Sequence, residues 1–445
     1  MISAGETSGD LHGASLALAA SRLAPNLKFY GLGGDLMAEA GVELAAHLSE
    51  TAVMGLTEVL GSLRRVLKVR KKMASLLAET RPAALVLIDS PDFNFFLAKK
   101  ASQLKIPVIY YICPQVWAWR TGRLKFLARR CARRALIFPF EKDFYERRGV
   151  QADLVGHPLL DRLSPPPRPQ ARVALGFSQD RPLLALLPGS RESLAKRLAP
   201  PMLAAAGLLL ERVPGLQLAL PLAQTLKPAA LSRCLAEAPE AVRQSLKVLP
   251  GQSQIALAAA DGALLASGTS TVEGALLGVP MVVAYKTSAL TYALARLLAK
   301  VPYVAIANLL MGRAIVPELI QGQATPRLMA EKALPFLTPG PAREKALADL
   351  RAAAAKLGGP GASARVLSLI LEEIGQAQSG RKINPQVKGA ETSLAEADPA
   401  QADPAQPNSA QPNPAARGPR ETKSLWTASE RSLRVRLAAT TGASR

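Results

Sequence analysis

Residues 263–283, ALLASGTSTVEGALLGVPMVV, constrain the fold more than any other stretch of the chain. A short apolar strand (263–266) runs into a cluster of glycine and hydroxyl-bearing residues, a short helix follows, and a second apolar strand closes the unit. Unpaired backbone N–H groups at a helix start, added to the helix dipole, favour a phosphate. Ser267, Gly268 and Thr271 are small enough to let one approach the backbone. Glu273 lies one turn in, placed to accept hydrogen bonds from a ribose. A second reading needs no ligand, because Ser270 and Glu273 have the Ser-x-x-Glu spacing of a capping box.

The same strand-and-helix unit recurs along the chain. Short apolar strands are expected at 28–32, 83–88, 108–112, 135–138 and 152–155, and again at 183–187 and 216–222. Between the two series lies SPPPRPQ (164–170), read as an extended linker. The expectation is an α/β architecture of two Rossmann-like domains, 1–163 and 171–375, with a ligand in the cleft between them. Residues 376–445 shift to Ala, Pro, Gln, Asn and Asp, the composition of a disordered tail.

A chain of 445 residues is too long for one core, and its net charge of +21 narrows its partners. Such a field attracts nucleic acid, anionic lipid or phosphorylated substrates. No nucleic-acid recognition motif is present and aromatic residues are few, so lipid and phosphate lead. Three scattered cysteines and three scattered histidines give no disulfide framework, no metal site and no cofactor motif. With no bilayer-spanning apolar stretch and no signal-peptide pattern, the chain is expected in the cytoplasm.

Candidate site residues fall where strands end. The first loop, GETSGD, offers Gly5, Glu6, Ser8, Gly9 and Asp10; its acids would repel a phosphate, so it meets sugar hydroxyls or is a plain strand-to-helix turn. Asp89 ends the strand at 83–88, where doubly wound folds bind ligands, and such a carboxylate can take a proton from an attacking hydroxyl. Asp92 reads better as a helix cap. Trp117 and Trp119, read as extended, point the same way, either as a sugar platform or as packing. In LLPGSR, Gly189 and Ser190 let a phosphate approach while Arg191 supplies a planar cationic fork, so this segment and the 267–271 loop form a diphosphate clamp. Finally, Met54, Leu63, Arg64, Arg65, Leu67 and Lys68 belong to a basic amphipathic helix. It either lies on anionic lipid or packs on the sheet with a solvated basic face.

Taken in order, GETSGD, MGLTEVL, IDSPDFN, VWAWR, LVGHP, LLPGSR, ASGTSTVEGALLGVPMV and ANLLMGR resemble the lipid-A-disaccharide synthases over residues 1–374. The resemblance implies a GT-B fold and an inverting, metal-independent transfer. In it, 2,3-diacylglucosamine passes from its UDP carrier to the 6-hydroxyl of 2,3-diacylglucosamine 1-phosphate at the cytoplasmic face of the inner membrane, in a peripheral protein expected as a homodimer. It further implies Asp89 as base and Arg191 at the leaving diphosphate, with Gly189, Ser190, Ser267, Gly268, Thr271, Glu273 and Asn308 around the UDP-sugar. Thr7 and Gln115 depart from the pattern, each standing where a smaller residue is expected. Rival readings are another UDP-sugar enzyme of the same fold acting on water-soluble acceptors, and a lipid-binding protein without chemistry.

Only Met1, Ile2 and Ser3 precede Ala4, few for a central strand, so in-frame aliphatic codons are expected upstream of this start. At the other end, the tail has little to bury. Cutting after Gly380 is therefore expected to leave the urea unfolding midpoint and the specific activity in detergent unchanged; a loss of either assigns the tail a structural role.

Overall fold

Every strand runs parallel to its neighbours in the computed structural model, which describes residues 1–50, 59–223, 226, 228–299 and 301–379. The first sheet contains β1 (Ile2–Ala4), β2 (Tyr30–Gly33), β3 (Glu43–His47), β4 (Leu85–Ile88), β5 (Val108–Tyr111), β6 (Arg133–Leu136) and β7 (Asp153–Leu154), in the order 3-2-1-4-5-6-7. The second contains β8 (Leu183–Leu187), β9 (Gln217–Leu222), β10 (Leu246–Pro250), β11 (Gly262–Ala266), β12 (Met281–Tyr285) and β13 (Glu318–Ile320), in the order 10-9-8-11-12-13. Helices cover both faces of such sheets, so the interior strands β4, β5, β8 and β11 are buried throughout and read as unbroken apolar runs. The edge strands β3 and β10 are only partly buried and carry polar residues. That is why an apolar-run reading passes over them.

Both sheets reverse their strand order at one place, between β1 and β4 and between β8 and β11. Crossovers on either side of that place go to opposite faces, leaving a crevice at the carboxyl ends of the two strands. Four sequence segments feed these two crevices. The loop from Gly5 follows β1, Asp89 follows β4, Gly189 to Arg191 follow β8, and Ser267 follows β11.

Four local expectations are corrected. The opening helix is Thr7–Leu23, so Ser8, Gly9 and Asp10 lie in its first turn rather than in a loop. The helix after LLPGSR is Glu192–Leu210, starting directly behind Arg191 although Pro200 and Pro201 lie inside it. The sequence pattern alone places this helix at 198–213, but burial of Ala195, Leu198, Met202 and Leu203 holds it from Glu192 across both prolines. The stretch holding Trp117 and Trp119 is a turn, not extended, and separates the two rings. Trp117 is buried, stacks edge-on against Phe140 and donates to Glu141 Oε1 at 2.9 Å, whereas Trp119 is exposed beneath the Arg120 guanidinium. In the proline-rich segment, only 164–167 are irregular before the helix Arg168–Leu175 begins.

After the second sheet the chain returns to the first. The last described helix, Ala362–Gln378, packs along the opening helix, and Val366, Leu367 and Ile370 share one buried cluster with Ile2, Leu16, Ile88, Val272 and Leu310. One apolar cluster thus joins residues of both halves of the chain. Arg133 on β6 clamps this helix through Glu373 (2.6 Å) and Glu372 (3.0 Å) while also meeting Asp153 (3.3 Å).

Asp161 caps the same helix, accepting from the backbone N–H groups of Gly361 (2.5 Å), Ala362 (3.2 Å) and Ser363 (2.9 Å). Partial burial raises its pKa, but the Ser363 and Gly361 hydrogen bonds outweigh burial and hold it below 3.8. Asp161→Ala is expected to cost about 1–2 kcal/mol in urea unfolding at neutral pH. Because the folded pKa is depressed, the difference from the parent protein should persist above pH 3.8 and shrink as the pH falls below it.

Candidate active site

At the first crevice the backbone is held in a costly shape. Asp89 (φ 45°) and Ser90 (φ 47°) are consecutive non-glycine residues in the left-handed region, each costing on the order of 1 kcal/mol or more. Side chains hold them there. The Asn94 amide donates to the carbonyls of Ile88 (3.0 Å) and Asp89 (2.8 Å) and accepts from the Ser3 hydroxyl (2.8 Å), while the Tyr110 hydroxyl also donates to the Asp89 carbonyl (2.8 Å). Ser3, Asn94 and Tyr110 are all buried, so the Asp89 turn is fixed from below by the core. Gly5 approaches from β1 so closely that a Cβ there would stand 2.5 Å from Ser90 Oγ, which is why the loop carries no side chain at that position.

The Asp89 carboxyl is lifted from 3.8 to about 6 by burial and by the nearby Glu6, against the opposing pull of the Ser90 N–H and the Arg191 guanidinium. That pair of influences joins the two sheets: Glu6 belongs to the first crevice and Arg191 to the second. Glu6 and Ser8 are exposed at the start of the opening helix, and Glu6, its N-cap residue, makes no side-chain cap. Asp10 is a correction. It is buried, and its carboxylate accepts from Gly34 (2.7 Å), Met37 (3.1 Å) and Leu36 (3.2 Å), capping the helix Asp35–Glu39 instead of facing a sugar. Gly9, also buried, packs against Ala4 and Ile88.

Across the cleft, Gly189 has φ 115°, a conformation that favours glycine, and any Cβ would meet Leu194 at 2.9 Å. Ser190 and Arg191 are exposed, and Arg191 is the N-cap residue of the helix Glu192–Leu210. The neighbouring helix, Thr269–Leu276, has Gly268 as its N-cap with open space around it and no side-chain cap. Ser270 therefore sits inside the helix, which removes the capping-box alternative for Glu273. Glu273 instead accepts from Gln254 Nε2 at 3.2 Å and faces Arg162; burial raises its pKa against both partners.

Three residues expected around a UDP-sugar act within the fold. The Thr271 hydroxyl donates to Gly268 O (2.7 Å), and Ser267 Oγ donates to Val304 O (3.1 Å). Asn308 is wholly buried with its amide saturated: it donates to Glu318 (2.7 Å) and Val316 O (3.0 Å) and accepts from Ile315 (2.7 Å) and Val316 (2.9 Å). Glu318 in turn accepts from the N–H groups of Val304 and Ala305. Asn308 thus braces the wall of the loop. The supporting residues Asn94, Tyr110, Gln254 and Arg162 were not singled out from sequence. Only Asn94 carried a signal there, as the last residue of IDSPDFN.

On the basic helix, Val59–Thr80, Arg64, Arg65, Leu67 and Lys68 are exposed; Met54 and the Leu63 side chain lie outside the described residues. An open groove of about 540 Å³ runs beside it, lined by Leu67, Arg70, Lys71, Phe96, Lys100 and Leu104.

Comparison with known proteins agrees with this architecture. The family model described as Lipid-A-disaccharide synthetase matches residues 1–361. The lipid-A-disaccharide synthase of Anaeromyxobacter sp. (strain K) is 45% identical over 373 residues, covering 83% of this chain and 96% of the relative. That of Geobacter metallireducens is 43% identical over 379 residues, covering 84% and 97%. Among solved structures, a putative UDP-N-acetylglucosamine 2-epimerase from Listeria monocytogenes superposes with a TM-score of 0.60 at 13% identity over 86% of this chain and 97% of its own. MurG from Acinetobacter baumannii gives 0.53 at 18% over 84% and 98%. Those two likenesses establish the GT-B fold of paired parallel α/β sheets.

The raised pKa of Asp89 carries a stability consequence. A protonated Asp89 is favoured by the fold, so its stabilising contribution is present below pH 3.8 and is lost as the pH rises through about 6. Asp89→Asn removes that loss and suits the left-handed backbone. At pH 7–8 the variant is expected to unfold in urea with a stability higher than the parent's by up to about 3 kcal/mol. The gain should vanish near pH 4; a variant less stable than the parent at pH 7 refutes the assignment.

Proposed function

Because the chain belongs to the lipid-A-disaccharide synthase family, we propose how its cleft performs that family's reaction. The enzyme is a glycosyltransferase of lipid A biosynthesis: it transfers 2,3-diacylglucosamine from UDP to 2,3-diacylglucosamine 1-phosphate and releases UDP. Asp89 is the base. Its carboxylate takes the proton of the acceptor 6-hydroxyl as that oxygen attacks C1 of the donor sugar. The bond from C1 to the diphosphate oxygen breaks in the same displacement, so the configuration inverts and a β-1,6 linkage forms. The observation that carries this reading is a half-buried carboxyl with a pKa of about 6, set in a strained turn at the strand-order reversal and facing Arg191 across the cleft.

Charge on the departing diphosphate is met by Arg191 and by the open start of the helix Thr269–Leu276, with the Gly189–Ser190 backbone beside them. These groups stabilise the leaving group without a metal. Glu273, oriented by Gln254, holds the ribose. Gly5, Glu6 and Ser8 border the acceptor, whose anomeric phosphate lies away from the acids.

The exposed face of the basic helix rests on the anionic inner leaflet, with the neighbouring cationic and apolar groove turned toward lipid. No helix among the described residues is long and apolar enough to cross a membrane.

Two measurements test the chemistry. With both lipid substrates in detergent, kcat/KM for UDP release should rise about tenfold per pH unit toward pH 6 and then level. Glu6→Gln should move that limb to lower pH, because a charge that raises the Asp89 pKa is gone. Arg191→Ala should lower kcat by about 10²- to 10³-fold with a smaller change in KM, and excess chelator should leave the parent rate unaltered. An acid limb that stays in place when Asp89 is replaced by Asn removes it as the base.

A further inference from the structure

The second sheet carries an apolar helix that the site described above does not use. Helix Ala289–Leu298, sequence ALTYALARLL, follows β12 and starts at Ser288, whose hydroxyl oxygen accepts from the Thr291 N–H at 3.2 Å. No strand or other helix packs extensively along it among the described residues. Leu297 is 81% exposed and Leu298 48%, the former the most exposed large apolar side chain among those described. Burying neither leucine in a core costs stability that some other environment has to supply.

Sequence around the helix says what that environment is. Between Glu273 and Glu318 there is no aspartate or glutamate, while Lys286, Arg296 and Lys300 are present. A short apolar helix flanked only by cations matches a surface that is apolar within and anionic at its boundary.

Its placement couples that surface to the nucleotide loop. The root of the helix is tied down by Gln321, which accepts from Thr287 N (3.0 Å) and donates to Thr287 O (3.3 Å). Beyond the helix the chain comes back to the nucleotide loop, where Val304 O accepts from Ser267. The helix therefore leaves and returns at the carboxyl end of the second sheet, where β11 delivers Gly268.

We propose that Ala289–Leu298 is a second membrane-insertion element, which seats the sugar-nucleotide half of the enzyme on an anionic bilayer through Leu297 and Leu298. The inference rests on the reading that the enzyme works at a lipid surface, but it is independent of the basic helix. Two feet, one on each sheet, hold the mouth of the cleft against the layer in which both acylated substrates reside.

The test is cosedimentation of the full chain with phosphatidylglycerol-containing vesicles and with phosphatidylcholine vesicles at matched salt. Replacing Leu297 and Leu298 with Ser should lower the partition coefficient on phosphatidylglycerol vesicles about tenfold or more. Leu297→Phe should restore most of it in the Leu298 background, and kcat on substrates dispersed in detergent should stay at the parent value. Leu67→Ser with Lys68→Ser serves as the comparator on the basic helix. If only the comparator loses binding, the proposal falls and the basic-helix reading stands; if only the leucine variant loses it, the reverse holds. Unchanged binding in both variants overturns both. Self-association of the parent that the leucine variant loses, with vesicle binding intact, overturns the proposal in favour of a second copy as the occupant.

Discussion

In a parallel sheet, two adjacent strands whose crossovers run to opposite faces leave their carboxyl ends uncovered by any connection. This chain imposes that condition twice, between β1 and β4 and between β8 and β11. Each uncovered place lies beside helix starts rich in unpaired N–H groups, and each receives short loops because the strands beneath are buried and rigid. A carboxylate arrives from one sheet and a guanidinium from the other. The cleft thus sets Asp89 of the first crevice and Arg191 of the second within each other's field.

Holding Asp89 there costs stability in two ways. Its backbone and that of Ser90 adopt left-handed angles, and its carboxylate is destabilised by burial and by Glu6. Ser3, Asn94 and Tyr110 offset the first cost with hydrogen bonds from the core. The second is only partly offset, by the Ser90 N–H and the Arg191 guanidinium, and it leaves the carboxyl with a raised pKa. Asp10, four residues from Glu6, shows the contrast: the same kind of side chain, given three backbone N–H partners, becomes a cap.

The two sheets are coupled through the chain's return. Ala362–Gln378 lies on the opening helix, capped by Asp161 and clamped by Arg133, so the first sheet is completed by residues that follow the second. Arg162, next to the capping Asp161, faces Glu273 on the helix that follows β11. The cap of this helix and the partner of Glu273 are therefore neighbours on one short segment.

Local patterns in the sequence determined the class of fold and the positions of most site segments. Unbroken apolar runs such as LVLI and LLALL, each ending in a small or charged residue, have no other stable place than the interior of a doubly wound sheet. Where Gly5, Asp89, Arg191 and Gly268 stand relative to those runs followed directly. What side chains do at those positions did not follow, because it depends on partners distant in sequence. Asp10 is consumed by residues 34–37, Asn308 by residues 315–318, and Trp117 by Glu141, and no spacing announces such pairs. The edge strands β3, β10 and β13 escaped because they are short or mix polar with apolar residues, leaving no unbroken apolar run. Sequence determined the strand ends, where hydrophobic burial acts locally. Tertiary structure alone decided which polar groups there remain unspent, because hydrogen bonding is a matter of which atoms the fold brings within 3 Å.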